Sequence, residues 1–211
     1  MSNETWRDQY DRMTRSLGLF IQVGEPTPLP QTVISARDVL YHFCCDVFHL
    51  RDWIAADVGN DPSYPDNTKM VTEQLNNVIK KSVELATCRD IANGSKHLIL
   101  REPSFVEGMP SKQHAKVATQ HTGISPAPAF VKVPRRVLRR YLKAAGESPR
   151  WWQRRHSPPP ADLVGFQRDS FTIDIAGTQR DAQDVAVKAV AAWDRWLAGQ
   201  HPIAVHLRQT A

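Results

Sequence analysis

The run Val71-Thr72-Glu73-Gln74-Leu75-Asn76-Asn77-Val78-Ile79-Lys80-Lys81-Ser82-Val83-Glu84-Leu85-Ala86-Thr87-Cys88-Arg89-Asp90-Ile91-Ala92-Asn93-Gly94-Ser95-Lys96-His97 carries both the fold and the candidate chemistry. Val71, Leu75, Ile79, Ser82 and Ala86 recur every three or four residues, the period that lines up one face of an α-helix. Good capping residues, Asp66 to Thr68, precede it. Past Ala86 the same face presents Asp90, Asn93 and His97, flanked by Arg89 and Lys96. Apolar packing does not explain that change, and inward polar groups without partners cost about 1–3 kcal/mol each. Asn93-Gly94 is also a helix-stop pair, so these residues read either as an inward polar row or as a helix end and turn.

Working outward, Ala36, Leu40, Phe43, Val47, Leu50 and Ile54 predict a helix from about Thr32 to Asp57, stopped by Gly59-Asn60-Asp61-Pro62. With the next helix it makes an antiparallel hairpin. Trp6, Tyr10, Met13 and Leu17 predict a shorter amphipathic helix ending near Gly18. Leu98-Ile99-Leu100, Ala129 to Val133 and Ser170 to Ile175 read as strands of a small antiparallel sheet. The Pro-, Ser-, Gly- and His-rich stretch Glu102 to Pro128 reads as a long loop. A short basic helix is expected from Arg135 to Ala145, a break at Ser157-Pro158-Pro159-Pro160, and a closing helix from about Asp181 to Leu197. The fold class is mainly α, an α-rich α+β arrangement. Residues 1–100 form a helical core, and residues 101–211 add the sheet, a basic arm and the closing helix, packed on that core as one domain.

The chain has 211 residues, enough for one domain with a sizeable core, and its 41% hydrophobic and 23% charged residues are ordinary for a globular protein. With no apolar run of about 18 residues and no basic-then-apolar start, neither a membrane partner nor secretion is expected, and a cytoplasmic location is. Cys44, Cys45 and Cys88 are an odd count with two neighbours, a poor basis for a disulfide framework.

On the helical wheel, the Thr32–Asp57 segment is apolar except for one sector of Asp38, His42, Cys45, Asp46, His49, Asp52 and Trp53. If that sector meets the polar row of the next helix, His49, Asp52, Arg89, Asp90, Asn93 and His97 form one cluster of titratable groups, a candidate catalytic site. His42 and His49 read equally as core-edge histidines bonded to backbone carbonyls. His42, Cys45 and His49 also have a spacing that zinc can use, but no Cys-x2-Cys pair accompanies them. No metal and no cofactor is expected, and there is no glycine-rich phosphate loop.

The segment Cys88-Arg89-Asp90-Ile91-Ala92-Asn93-Gly94-Ser95-Lys96-His97 resembles the active motif of HEPN (higher eukaryotes and prokaryotes nucleotide-binding) proteins, in which an Arg, a polar residue and a downstream His lie near a helix end. The likeness spans about residues 33–97. It implies an all-helical bundle, a homodimer, and metal-independent ribonuclease activity of a toxin or phage-defence type. By that resemblance His97 is the catalytic acid or base, Arg89 holds the scissile phosphate, and Asp90 is the polar residue beside it. The chemistry is coherent, since cleavage without metal needs a group for the 2′-hydroxyl proton and a cation for phosphate charge.

Lys132 to Arg155 holds nine basic residues and one acid, Glu147, for +8; the whole chain is +5, leaving −3 elsewhere. Arg135, Arg136, Arg139, Arg140 and Lys143 share neighbouring faces of the short helix, and Trp151 and Trp152 are interleaved with Arg150, Arg154 and Arg155. Cations with aromatics grip phosphates and stack bases, which makes RNA the expected partner. A solvated basic face with tryptophans turned to the core has the same composition. Three functions follow: metal-independent RNA cleavage, nucleic-acid binding without catalysis, or a partner-binding or regulatory subunit that docks through its hairpin or its Trp-bearing closing helix.

Overall fold

The computed structural model describes residues 4–23, 27–28, 36–96, 103–109, 115–126 and 165–210. In chain order these form α1 (Trp6–Val23), β1 (Thr27–Pro28), α2 (Ala36–Gly59), α3 (Thr68–Lys80), α4 (Val83–Lys96), β2 (Lys116–Pro126), β3 (Gly165–Ile175), β4 (Thr178–Asp181), α5 (Ala182–Ala198) and α6 (Pro202–Gln209). The protein is thus α-rich, with a small antiparallel sheet and helices at its C-terminal end.

α2 buries Leu40, Phe43, Cys44, Val47, Leu50, Ile54 and Val58, the stripe its periodicity predicts. Gly59 ends it where a Cβ would lie 2.3 Å from both Cα and N of Thr68, so only glycine lets α3 start so close. Asn67 caps α3, its side chain accepting from the Met70 N–H at 3.1 Å.

The expected single helix beyond Thr68 is two. Lys81 closes α3, its N–H turned to the Ile79 and Val78 carbonyls, and the Ser82 hydroxyl then accepts from the Leu85 N–H at 3.3 Å to begin α4. Ser82 therefore marks a junction rather than a place on a continuous stripe. The Asn93-Gly94 pair does not stop α4, which runs on to Lys96. Every residue from Leu85 to Ala92 is buried, so α4 is enclosed on all sides for two turns.

β3 is the central strand. β2 pairs with it antiparallel from Lys116↔Asp174 to Pro126↔Gly165, with a register shift between Val117 and Thr119. Its other edge pairs with β1 near Phe166 and Gln167 and with β4 from Thr172 to Ile175. Phe171, Ile173 and Ile175 are buried while Ser170, Thr172 and Asp174 are partly exposed, the alternation of a strand with one covered face. Phe171 continues into the helices through Phe20 and Phe43, with ring centroids 6.3 and 6.1 Å apart.

β2 corrects the expectation of a loop from Glu102 to Pro128: its polar residues lack an apolar alternation, and pairing with β3 makes the strand. α6 was not expected, although Pro202 holds the first-turn position that favours a helix start. The expected strands Leu98–Leu100 and Ala129–Val133, and the basic helix from Arg135 to Ala145, lie outside the described residues. α5 packs across the hairpin. Trp193 is fully buried and its indole N–H donates to the Val47 carbonyl of α2 at 3.1 Å. One set of buried side chains extends from Met13 through the hairpin and β3 to Leu207.

Candidate functional site

α4 carries two charged residues into the core. Asp90 is 0% exposed and Arg89 3%. Neighbours in the chain, they form an ion pair, Arg89 Nη1 to Asp90 Oδ1 at 3.2 Å. The segment 103–109 lies against them and bonds to both. Arg89 Nη1 donates to the Pro103 carbonyl at 3.0 Å, and the Ser104 hydroxyl donates to Asp90 Oδ2. The same hydroxyl accepts the Val106 N–H at 2.9 Å. Phe105 covers the guanidinium, its ring centroid 3.9 Å from Arg89 Cζ, with Lys80 Nζ 4.7 Å from the same centroid. A desolvated cation under an aromatic face is a favourable contact. A phosphate reaches Arg89 only if residues 103–109 lift away. Ser104 and Phe105 were not expected to take part, since nothing in a Pro-Ser-Phe sequence announces that it covers a helix sixteen positions earlier.

The other candidates divide three ways: near the pair, outside the described residues, or elsewhere on α2. Asn93 lies four residues after Arg89 on α4 and is half-buried. His97 is outside the described residues, as are Arg135, Arg136, Arg139, Arg140, Lys143, Trp151, Trp152, Arg154 and Arg155. Asp52, 48% exposed, is held by Arg51 at 2.5 Å, and Arg51 reaches Asn76 of α3 at 2.8 Å. Cys44 of α2 hydrogen-bonds Cys88 of α4, which sets the level at which α2 meets Arg89. Asp52 is eight residues further along, about 12 Å at the rise of an α-helix. His49 is half-buried and lies about 140° round α2 from Cys44, so it does not point toward α4.

Part of the polar sector of α2, at Asp46 and Trp53, faces α1. Gln9, only 1% exposed, donates to the Asp46 backbone carbonyl at 3.0 Å, and the Ser16 hydroxyl donates to Asp46 Oδ2. The Arg12 guanidinium sits 5.9 Å from the Trp53 ring centroid, and the Trp6 N–H donates to Asp57 Oδ2 at 2.6 Å. This corrects the expected pairing. That part of the sector is an interface between helices, and the signal for it was the complementary row Gln9, Arg12 and Ser16 on α1.

The Cys44 thiol is pushed well above its usual pKa by the Cys88 hydrogen bond and then by burial, so it is no ready nucleophile. Among the described residues, no three His, Cys, Asp or Glu side chains are gathered so as to hold a metal ion. No described helix is long and apolar enough to cross a membrane. The tryptophans of α5 are no exposed docking face either, since Trp193 is buried and Trp196 half-buried. No family model matches this chain, and neither a curated protein nor a solved structure matches it.

Proposed function

We propose that this protein binds nucleic acid, RNA in particular, through the basic, tryptophan-bearing segment Lys132–Arg155, with the helical bundle as the scaffold that carries it. The carrying observation is the segregation of charge: +8 in those residues against −3 in all the others. A polyanion is attracted to one stretch and repelled weakly by the rest. The Arg89–Asp90 pair supports a binding rather than a catalytic reading, because its hydrogen bonds and its aromatic cover are already used in fastening residues 103–109. The test is binding of a labelled single-stranded RNA across a salt series. Affinity falling steeply with salt, and weakened by Arg139→Ala with Arg140→Ala, is the expected result. Affinity unaffected by both overturns it.

A second reading is metal-independent RNA cleavage by Arg89 and His97, with Asn93 beside them. What favours it is that α4 stays helical past Gly94, which keeps Asn93 one turn beyond Arg89. The same labelled RNA in excess chelator separates the two. Cleavage lost in His97→Ala with the fold intact supports it, and intact RNA ends it.

A further inference from the structure

α6 is fastened to the bundle by three side-chain clasps, and two of them are histidines. At its start His201 is the N-cap, with Nδ1 accepting the Ile203 N–H at 3.4 Å and the ring 5.5 Å from that of Trp196. In its middle His206 Nε2 lies 3.0 Å from Asp61 Oδ2 in the α2–α3 turn, and its ring packs 4.9 Å from Tyr64. At its end Arg208 donates to the Leu197 carbonyl and, at 2.8 Å, to the Gly199 carbonyl.

The two histidine contacts respond differently to an added proton: the His201 cap needs a bare ring nitrogen, whereas the His206 contact needs only an N–H. A capping Nδ1 must carry a lone pair, and an imidazolium there would stand at the positive end of the helix dipole with the Lys81 cation nearby. His206, by contrast, donates its Nε2–H to Asp61 Oδ2 whether or not Nδ1 carries a proton, so the contact does not depend on a bare nitrogen. Among the described residues, the charged and titratable groups found against the two rings are Asp61 and Tyr64 from the α2–α3 turn and Lys81 from the α3–α4 junction.

We propose that α6 is a proton-sensitive clasp: acidification releases its first turn by removing the His201 cap, while the His206–Asp61 pair keeps the rest of the helix tethered to the α2–α3 turn. Burial first, and Lys81 second, lower the His201 pKa from its usual 6.5. The sign follows. A cap group whose folded pKa is depressed contributes stability above the unfolded value of 6.5, and that contribution is lost as pH falls through the lower folded value.

The test is amide hydrogen exchange on the whole protein at about pH 7.5 and about pH 5, values that bracket histidine titration, with rates corrected for intrinsic chemistry. Protection of Ile203 to Val205, relative to α5, is expected to fall about fivefold on acidification, the change in opening equilibrium that one lost N-cap bond produces. His201→Asn keeps an uncharged acceptor and removes the fall. His206→Asn extends it to the end of α6. Equal protection at both pH values, or the same fall in His201→Asn, overturns the clasp, and a His206→Asn protein that matches the wild type overturns the tether. In the wild type alone, the Ile203 amide resonance must titrate with the His201 ring, and an unresponsive resonance counts against the proposal.

Discussion

The Arg89 guanidinium lies beneath the Phe105 ring, its central carbon 3.9 Å from the centroid, while one of its nitrogens holds Asp90 at 3.2 Å. A cation and an anion from consecutive positions of one buried helix are neutralised together, and the segment that covers them gives each a further hydrogen bond.

Breaking that pair from one side strands a buried charge. Asp90→Ala is expected to lower unfolding free energy by about 3–5 kcal/mol, the cost typical of such one-sided removal. Replacing both, Arg89→Met with Asp90→Leu, is expected to cost less than the single change. Urea titration followed by tryptophan fluorescence measures both. A double variant as damaged as the sum of its singles contradicts the coupling.

Phe105→Ala uncovers the guanidinium and loosens the cover without touching the ion pair. Limited proteolysis within residues 103–109 is expected to accelerate severalfold while the bundle stays folded. If RNA is cleaved at Arg89, the same variant raises the rate. Unchanged proteolysis shows that Phe105 does not hold the segment.

Gly59→Ala forces a methyl group into the start of α3, 2.3 Å from backbone atoms of Thr68. Because backbone cannot swing aside as a side chain can, the ends of α2 and α3 must part. A loss of about 1–3 kcal/mol is expected from thermal or urea unfolding. A neutral result means the turn yields freely.

Tyr10 of α1 donates its hydroxyl to Asp194 of α5 at 2.6 Å; that bond, then burial, pushes the phenol pKa up to about 12. A raised folded pKa means a contribution fully present below the unfolded value of 10 and lost as pH rises through 12. The stability advantage of wild type over Tyr10→Phe is therefore expected to shrink across that alkaline range. Paired unfolding curves at neutral pH and near pH 11 read it, and a constant difference refutes it.

The apolar periodicity of α2, the strand Ser170–Ile175 and the closing helix from about Asp181 were all legible, because each is a local pattern whose cause lies within a few residues. The α3–α4 break was not. Ser82 falls three positions after Ile79, so the junction leaves the stripe unbroken on paper. β2 was missed because its partner strand, not its own alternation, makes it a strand. The inward polar row on α4 was visible as an anomaly at Asp90, but its answer, Ser104 and Phe105, comes from a later segment with no pattern of its own. The charged sector on α2 pointed to chemistry, whereas Gln9 and Ser16 take up Asp46 as a packing contact. His97 and the basic segment stand outside the described residues.

Because β3 takes Thr27 as a mate near one end and Arg180 near the other, the sheet joins the amino-terminal quarter of the chain to its last fifth. During synthesis the hairpin must emerge long before Trp193 arrives to cover Val47, leaving that apolar side bare for most of translation. A nascent chain built this way depends on α5 to cover its hairpin. Stop codons upstream of β3 would therefore yield a sticky helical fragment rather than a smaller working protein.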